Sequence, residues 1–333
     1  MFLSHVNPEQ SLEEHIRGML HFVKHNIDFK NQTNWEANVF NKYLSLCILF
    51  HDFGKSTSYF QEYIKSDEKR SNELTKHSKL SAIVAYIAGL ELFGLENEFF
   101  LILSLIAIVR HHSNIDNVVS TIQNFDENDK ERLIKQAKAI NYEDINQTFT
   151  SLQNDIPFDL SPILPLSNQK IENWVNAFFQ DRISLQRKVR KLKKEEAFNS
   201  QNYLKFVTLF SSLINADKNQ AALKEKVIIE REDLLPNLVD NYKQKMNFQK
   251  SDLNTLRDEA YLEAENRLKE ANSRVFSLNL PTGLGKTLIA YNLALKLRSI
   301  REKEFGYKAR IIYSLPFISV IDQNFDIFQK VIE

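Results

Sequence analysis

The chain has 333 residues, 43% of them hydrophobic and 26% charged, and its 43 basic side chains balance its 43 acidic ones. This length suits about two domains with separate cores, and the low glycine and proline content favours a soluble, largely helical protein. The zero net charge neither requires nor excludes nucleic acid, since a local basic strip can bind phosphate. A single cysteine, Cys47, excludes a disulfide framework and a cysteine-based zinc module.

The apolar runs of the sequence indicate no membrane segment. The longest run, Phe99 to Val109, is well short of the roughly 20 residues that a spanning helix needs. The N-terminus lacks the basic region and long apolar core of a signal peptide. We therefore expect a cytoplasmic protein.

The first predicted helix places a histidine on its apolar face. Asn7, Pro8 and Gln10 resemble a capped helix start with proline at the first helical position. In the helix that follows, His15 shares a face with Leu12 and other apolar residues, so it is expected to point inward.

The stretch from Ile48 to Tyr63 combines a buried helix end with polar chemistry. Its histidine, His51, continues the buried face of the preceding helix, and Asp52 follows directly. A buried carboxylate or imidazole needs a partner, and a metal ion suits both. Lys55 either contacts a substrate phosphate or stabilises the helix end electrostatically, and the sequence favours neither role.

Three later helices have polar residues at similar positions. One runs from about Ser78 to Leu90 directly after His77, and the next ends near a histidine pair. A third helix, from about Tyr203 to Gln220, has an aspartate at the end of its apolar face. The candidate metal ligands are His15, His51, Asp52, His77, His111, His112 and Asp217.

Five histidines and two aspartates suit a transition metal better than magnesium, which prefers oxygen ligands. Seven ligands are enough for two ions about 3.5 to 4 Å apart that share one carboxylate. Such a pair activates water and neutralises charge on phosphate, so hydrolysis of a phosphodiester or phosphomonoester is the expected reaction. We expect Mn, Fe, Ni or Co ions, with Asp52 and Lys55 as catalytic residues.

The last third of the chain has a different pattern. Apolar and polar residues alternate as in strands from Arg274 to Leu280 and from Ala309 to Leu315. The pattern between them, from Lys286 to Leu297, predicts a helix. This order predicts a βαβ unit with a parallel sheet. The predicted domains are 1–222, a helical connector over 223–272, and a segment over 273–333.

A glycine-rich turn lies between the first of these strands and the helix. It reads LPTGLGKT from Leu280, with leucine where the strict phosphate-binding pattern has glycine. In such a loop, backbone N–H groups surround phosphates, the lysine reaches the terminal phosphate and the threonine holds Mg²⁺. The predicted ATP-binding residues are Pro281, Thr282, Gly283, Leu284, Gly285, Lys286 and Thr287.

Together these motifs resemble the HD nuclease and helicase fusion proteins of type I CRISPR systems, which the Cascade surveillance complex recruits. The resemblance extends over essentially the whole chain. Its motifs are LEEH, HDFGKSTSYFQ, KHSKLSA, RHH, NADK, SLNLPTGLGKT and YSLPFISVIDQ.

The resemblance implies a mainly α fold, with a helical HD-domain bundle followed by part of an α/β RecA-like domain of superfamily 2 helicases. It further implies nuclease activity, since proteins of this family degrade single-stranded DNA while an ATP-driven motor draws in the strand. The partners would be single-stranded DNA and Cascade with its CRISPR RNA, and the chain is expected to be a monomer. One metal would be held by His15, His51, Asp52 and Asp217, and the other by Asp52, His77, His111 and His112.

The family pattern continues beyond Glu333, with an acidic helicase motif, a second RecA-like domain and its arginines. ATP hydrolysis and unwinding are therefore not expected of these residues alone. Two alternatives to a DNA nuclease stay open. The chain could be an HD phosphohydrolase of free nucleotides, or a docking fragment that binds Cascade or DNA without cutting.

Overall fold

A computed structural model describes residues 2–6, 9–26, 36–68, 70–95, 98–194, 200–223, 233–270, 273, 275–306 and 308–333. The chain is mainly helical and divides into two compact units, Met1–Ile229 and Glu230–Glu333. This division lies close to the predicted end of the first domain at residue 222. The second unit contains most of the segment that the sequence predicts as a connector, while residues 224–232 lie outside the described residues.

The first unit begins with an antiparallel hairpin of strands β1 (Leu3–Val6) and β2 (Glu9–Ser11). Ten α-helices follow in the described residues of this unit, joined by turns and short 3₁₀ segments. They are α1 (Leu12–Asn26), α2 (Ala37–Phe50), α3 (Ser58–Lys65), α4 (Ser78–Phe93), α5 (Glu98–Arg110), α6 (Val118–Gln123), α7 (Glu127–Lys138), α8 (Tyr142–Ser151), α9 (Asn168–Lys194) and α10 (Ser200–Leu223).

The start of α1 differs from the sequence-based expectation. Gln10 lies in β2, and Asn7 and Pro8 are outside the described residues. The helix instead begins after Ser11, whose hydroxyl accepts the Glu14 N–H while the Glu14 carboxylate accepts the Ser11 N–H. This reciprocal cap uses the S-x-x-E pattern, which satisfies two unpaired helix N–H groups at once.

The core of the first unit is built around α2, α4 and α5. Helices α4 and α5 are apolar on nearly all faces, which is typical of helices that are buried all round. They pack against each other and against α2, while α10 packs against α1, α2 and α5. This arrangement brings the ends of several helices to one buried place, where the candidate ligands lie.

In its described residues, 233–270, 273, 275–306 and 308–333, the second unit has four helices around a small core. Its elements are α11 (Leu238–Met246), α12 (Asp252–Glu270), α13 (Lys286–Phe305) and α14 (Ile318–Ile332). The buried residues of its core are Val239, Tyr261, Ile289, Tyr291, Leu295 and Val331.

The two strands predicted in this unit are not formed. Arg274 lies outside the described residues, and 275–280 and 308–315 are not strands in the described part of the chain. A strand needs a neighbouring strand to pair its backbone groups, and alternating apolar residues do not supply one. The side chains that alternation predicts to be inward include Phe276 and Tyr313, which are 43% and 44% exposed. The predicted βαβ unit is therefore wrong for these residues, while the helix between the segments is present as α13.

The described helices include none whose length and apolar character would let it cross a membrane.

Candidate metal centre

The centre of the site is Asp52, which follows the C-terminal end of α2. His51 caps that helix, and its backbone N–H donates to the Cys47 carbonyl. Because α2 is buried along its last turns, the side chains of His51 and Asp52 lie in the interior, and Asp52 is 1% exposed. The carboxylate has imidazoles on two sides.

One group of ligands surrounds Asp52 Oδ1. This oxygen lies 3.1 Å from His77 Nε2 and 3.6 Å from His111 Nε2. His112 Nε2 is 3.1 Å from His77 Nε2. His77 precedes α4, and the two other histidines follow α5, so three helix ends meet here. The four residues each present one ligand atom within 4.8 Å of the others.

A second group surrounds the other oxygen, Asp52 Oδ2. His51 Nε2 lies 3.3 Å and His15 Nε2 3.8 Å from it, and these atoms also lie within 4.8 Å of one another. Asp217 on α10 is adjacent, with Oδ1 at 3.3 Å from His15 Nε2 and 4.0 Å from His51 Nε2. Helices α1, α2 and α10 contribute these residues because they pack side by side.

Lys55 lies beside the carboxylate rather than at the surface. Its Nζ is 2.7 Å from Asp52 Oδ2, and the residue is buried. Burial alone would raise the pKa of the Asp52 carboxyl, but the adjacent imidazoles of His51 and His111 and the Lys55 ammonium hold that pKa well below its usual range. Asp52 is therefore ionised at neutral pH, as a metal ligand must be.

Two histidines are oriented by their own helices. The Nδ1–H of His51 donates to the Ile48 carbonyl at 2.8 Å, and that of His111 donates to the Ile108 carbonyl at 2.5 Å. A hydrogen bond from one imidazole nitrogen fixes the tautomer and leaves the other nitrogen as a lone-pair donor. In both residues this free nitrogen is Nε2, which faces Asp52.

The charge state of two further histidines, His15 and His77, also favours coordination. Burial lowers the pKa of His15 and lowers that of His77 to about 4, despite the nearby aspartates that raise both values. His51 differs: burial lowers its pKa, but Asp52, Asp217 and the Ile48 carbonyl together raise it. Neutral imidazole is the form that binds a metal, so His15 and His77 are in the ligating state at pH 7.

Several buried atoms of the site lack a hydrogen-bond partner in the described part of the chain. These are both ring nitrogens of His15, Nε2 of His51 and Oδ1 of Asp52. Unpaired buried polar atoms are costly unless a ligand satisfies them. Nitrogen-rich donors with one shared carboxylate fit two divalent transition-metal ions.

The second unit has a separate cavity at the predicted phosphate-binding loop. Gly283 and Gly285 have positive φ angles of 88° and 77°, which glycine adopts without strain, and α13 begins at Lys286. The Nε–H of Arg257 donates to the Gly283 carbonyl at 2.8 Å. The cavity has a volume of about 710 Å³. Of the seven predicted residues, those that line it are Thr282, Gly283, Leu284, Gly285, Lys286 and Thr287; Pro281 is exposed and does not.

Sequence reasoning missed two residues at the metal centre. Ser4 Oγ lies 3.5 Å from Asp52 Oδ2, and the ring of His5 lies 5.0 Å from that of His15. Burial, Lys55 and His15 lower the pKa of His5 to about 4. Both residues lie in the hairpin before α1, a region where the sequence predicts a helix start.

The fold and the site together define a mainly helical protein with a buried histidine and aspartate cluster that can hold divalent metal ions. No family model matches the chain. The chain is similar to the CRISPR-associated nuclease/helicase Cas3 of Haloferax volcanii, with 22% identity over 317 residues. The similar region covers 87% of this chain and 32% of the relative, so the chain spans about a third of that protein's length.

Proposed function

We propose that the first unit is a metal-dependent nuclease that cuts single-stranded DNA in CRISPR-associated defence. The observation that carries this proposal is the position of Asp52, whose two oxygens face two separate groups of imidazoles. A single metal would not need ligands on both sides of one carboxylate. The distant similarity to a CRISPR-associated nuclease/helicase supports the same reaction class.

The chain's own residues would have distinct tasks in this reaction. Divalent ions held by the two groups would acidify a water and neutralise charge on a phosphate. Asp52 would fix the spacing of the ions, because it is common to both groups. The Lys55 ammonium, held 2.7 Å from Asp52 Oδ2, would offset negative charge where the phosphodiester binds. Asp217 would complete the group of His15 and His51.

The second unit would bind ATP with Mg²⁺. Its support is the cavity that contains Lys286 and Thr287 next to two glycines with positive φ. By the resemblance in sequence, the partner that presents DNA would be a Cascade complex with its CRISPR RNA.

The first experiment is cleavage of a labelled single-stranded DNA circle by metal-stripped protein, with Mn²⁺, Fe²⁺, Ni²⁺, Co²⁺ or Mg²⁺ added back. We expect cleavage with a transition metal and none with Asp52→Ala. A circle isolates endonuclease activity because it has no ends. If wild-type protein binds two ions and cuts no DNA with any metal, the nuclease proposal for this chain is wrong.

The same preparation decides between the alternatives. Hydrolysis of dNTPs at a higher kcat/KM than DNA would indicate a nucleotide phosphohydrolase, since the same metal groups can act on monoesters. DNA binding without hydrolysis of either substrate would indicate a docking protein.

A further inference from the structure

The N-terminal hairpin brings two side chains to the metal centre through an irregularity in its pairing. Leu3 pairs with Ser11 and His5 pairs with Gln10, so Ser4 is an extra residue in β1. In a regular strand, neighbouring side chains point to opposite faces of the sheet. A bulge breaks this alternation and often redirects a side chain near an active site.

Both redirected residues contact the centre. Ser4 is buried, with Oγ 3.4 Å from Lys55 Nζ and 3.5 Å from Asp52 Oδ2. His5 is half-buried, and its ring meets that of His15 edge to face at 5.0 Å. Its Nδ1 is buried and has no hydrogen-bond partner among the residues that the structure describes. A buried nitrogen without a partner points to a group that enters the site from solvent.

The group that enters from solvent beside His5 is not expected to be a metal ion. The ligand atoms that approach one another within 4.8 Å belong to Asp52 and its neighbouring imidazoles, and the two groups found in the described residues do not include His5. His5 instead lies at the rim of the His15 side, where it is partly open to solvent. An imidazole in this position can donate an N–H to a phosphate oxygen.

We infer that His5 contacts a nonbridging phosphate oxygen of the nucleic-acid strand and that Ser4 positions Lys55 for the same phosphate. This inference rests on the proposed nuclease function. It assigns the bulged strand β1 to phosphate recognition, separately from the seven residues that would hold metal.

The test compares His5→Ala and His5→Asn with wild-type protein and with His25→Ala, a control on the exposed end of α1. Three quantities are measured: Mn²⁺ stoichiometry by calorimetry, the affinity of metal-loaded protein for inorganic phosphate, and kcat and KM on single-stranded DNA. We expect His5→Ala to bind Mn²⁺ like wild type, while its phosphate affinity and kcat/KM fall by about tenfold. Asn at this position retains an N–H donor and should recover part of the loss, and His25→Ala should match wild type.

The outcomes distinguish the phosphate contact of His5 from the proposed nuclease function. If His5→Ala loses Mn²⁺, His5 belongs to the metal shell and the inference is wrong. Unchanged phosphate affinity and kcat/KM would also overturn it. If wild-type protein cuts no DNA but phosphate affinity still depends on His5, the proposed nuclease function fails and the phosphate contact stands.

Discussion

Asp52 is the residue on which both halves of the metal centre depend. Its Oδ1 faces His77 and His111, and its Oδ2 faces His51 and Lys55. Without metal, this carboxylate is the counter-charge that makes burial of the Lys55 ammonium tolerable. The residue thus combines a role in the folded chain with a proposed role in ion binding, and the two can be tested separately.

The first prediction concerns this double role. Asp52→Asn keeps the side-chain shape and removes the charge, so Mn²⁺ binding should weaken by more than about 100-fold at both groups. The variant should also lose about 3 kcal/mol of stability, because Lys55 stays buried without its partner. Adding Lys55→Met should restore stability and leave metal binding weak. Calorimetric titration and chemical denaturation measure the two effects, with exposed Asp67→Asn as the control. Two tight Mn²⁺ sites in Asp52→Asn would show that the carboxylate does not bridge.

At the scale of elements, close packing occurs at two glycines, and one of them lies against a candidate ligand residue. A Cβ at Gly54 would lie 2.6 Å from the His77 carbonyl oxygen and 2.9 Å from His77 Cβ. A Cβ at Gly18 would instead meet the amide end of the Gln220 side chain at 2.3 Å. The first clash is with the backbone of a ligand residue, while the second is with a flexible side chain that can move.

The second prediction follows from this difference. Gly54→Ala should displace His77 and weaken one of two Mn²⁺ sites by about tenfold, because that group loses its geometry. It should also destabilise the first unit by roughly 1–3 kcal/mol through overpacking. Gly18→Ala is the matched control and should leave both sites close to wild type. Mn²⁺ titration of the two variants checks this, and equal losses in both would contradict it.

The second unit has an electrostatic link between α12 and α13. Lys296 Nζ lies 2.5 Å from Glu265 and 3.1 Å from Asp240, and its side chain is 19% exposed. The hydrogen bond from Lys296 lowers the pKa of Glu265 below 4.5, although burial raises it. A carboxyl whose pKa is lower in the folded state stabilises the fold above its unfolded pKa and loses this contribution as the pH falls.

The third prediction follows from the direction of this pKa shift. Glu265→Gln should be less stable than wild type by about 0.5–1 kcal/mol at pH 7. The difference should shrink as the pH falls below 4.5, when Glu265 becomes protonated in wild type. Hydrogen exchange in peptides of α12 and α13 measures the local stability at each pH. The exposed Glu259→Gln is the control, and a constant difference across the pH range would rule out this ion pair as its cause.

At the scale of the whole molecule, the chain consists of two units with separate chemistry. The candidate metal ligands all lie in the first unit, and the phosphate-binding loop lies in the second. Both tryptophans of the sequence, Trp35 and Trp174, precede residue 229, and Trp174 is a buried residue of the first unit. Their fluorescence therefore reports on one unit without a label.

The fourth prediction concerns ligand linkage. Mn²⁺ at 100 times its dissociation constant should stabilise the first unit by about 2.7 kcal/mol for each site it fills, because the ion binds the folded form. The fluorescence transition in urea should shift accordingly, and EDTA should reverse the shift. Mg²⁺ with ATP should leave this transition unchanged and protect α13 from hydrogen exchange. If the urea concentration at the midpoint of the fluorescence transition is the same with and without Mn²⁺, metal binding in the first unit is contradicted.

The candidate ligands could be found in the sequence because each lies on the buried face or at the end of an apolar helix. The apolar spacing of α2 and α10 determines that His51 and Asp217 point inward. The pair His111 and His112 needed a helix end to reach one site, and α5 ends at Arg110, just before them. Helix periodicity is a local property, so sequence reasoning could reach these positions.

The two strands predicted around α13 show where such reasoning stops. Alternating apolar residues describe a strand's faces, but pairing depends on a partner that lies elsewhere in the fold. The hairpin before α1 depends on pairing in the same way, and so does the bulge at Ser4 that turns His5 toward His15. The sequence by itself determined which helices are buried and which polar residues lie at their ends. Only the tertiary structure decided which imidazoles face each oxygen of Asp52, because that depends on how distant helices pack together.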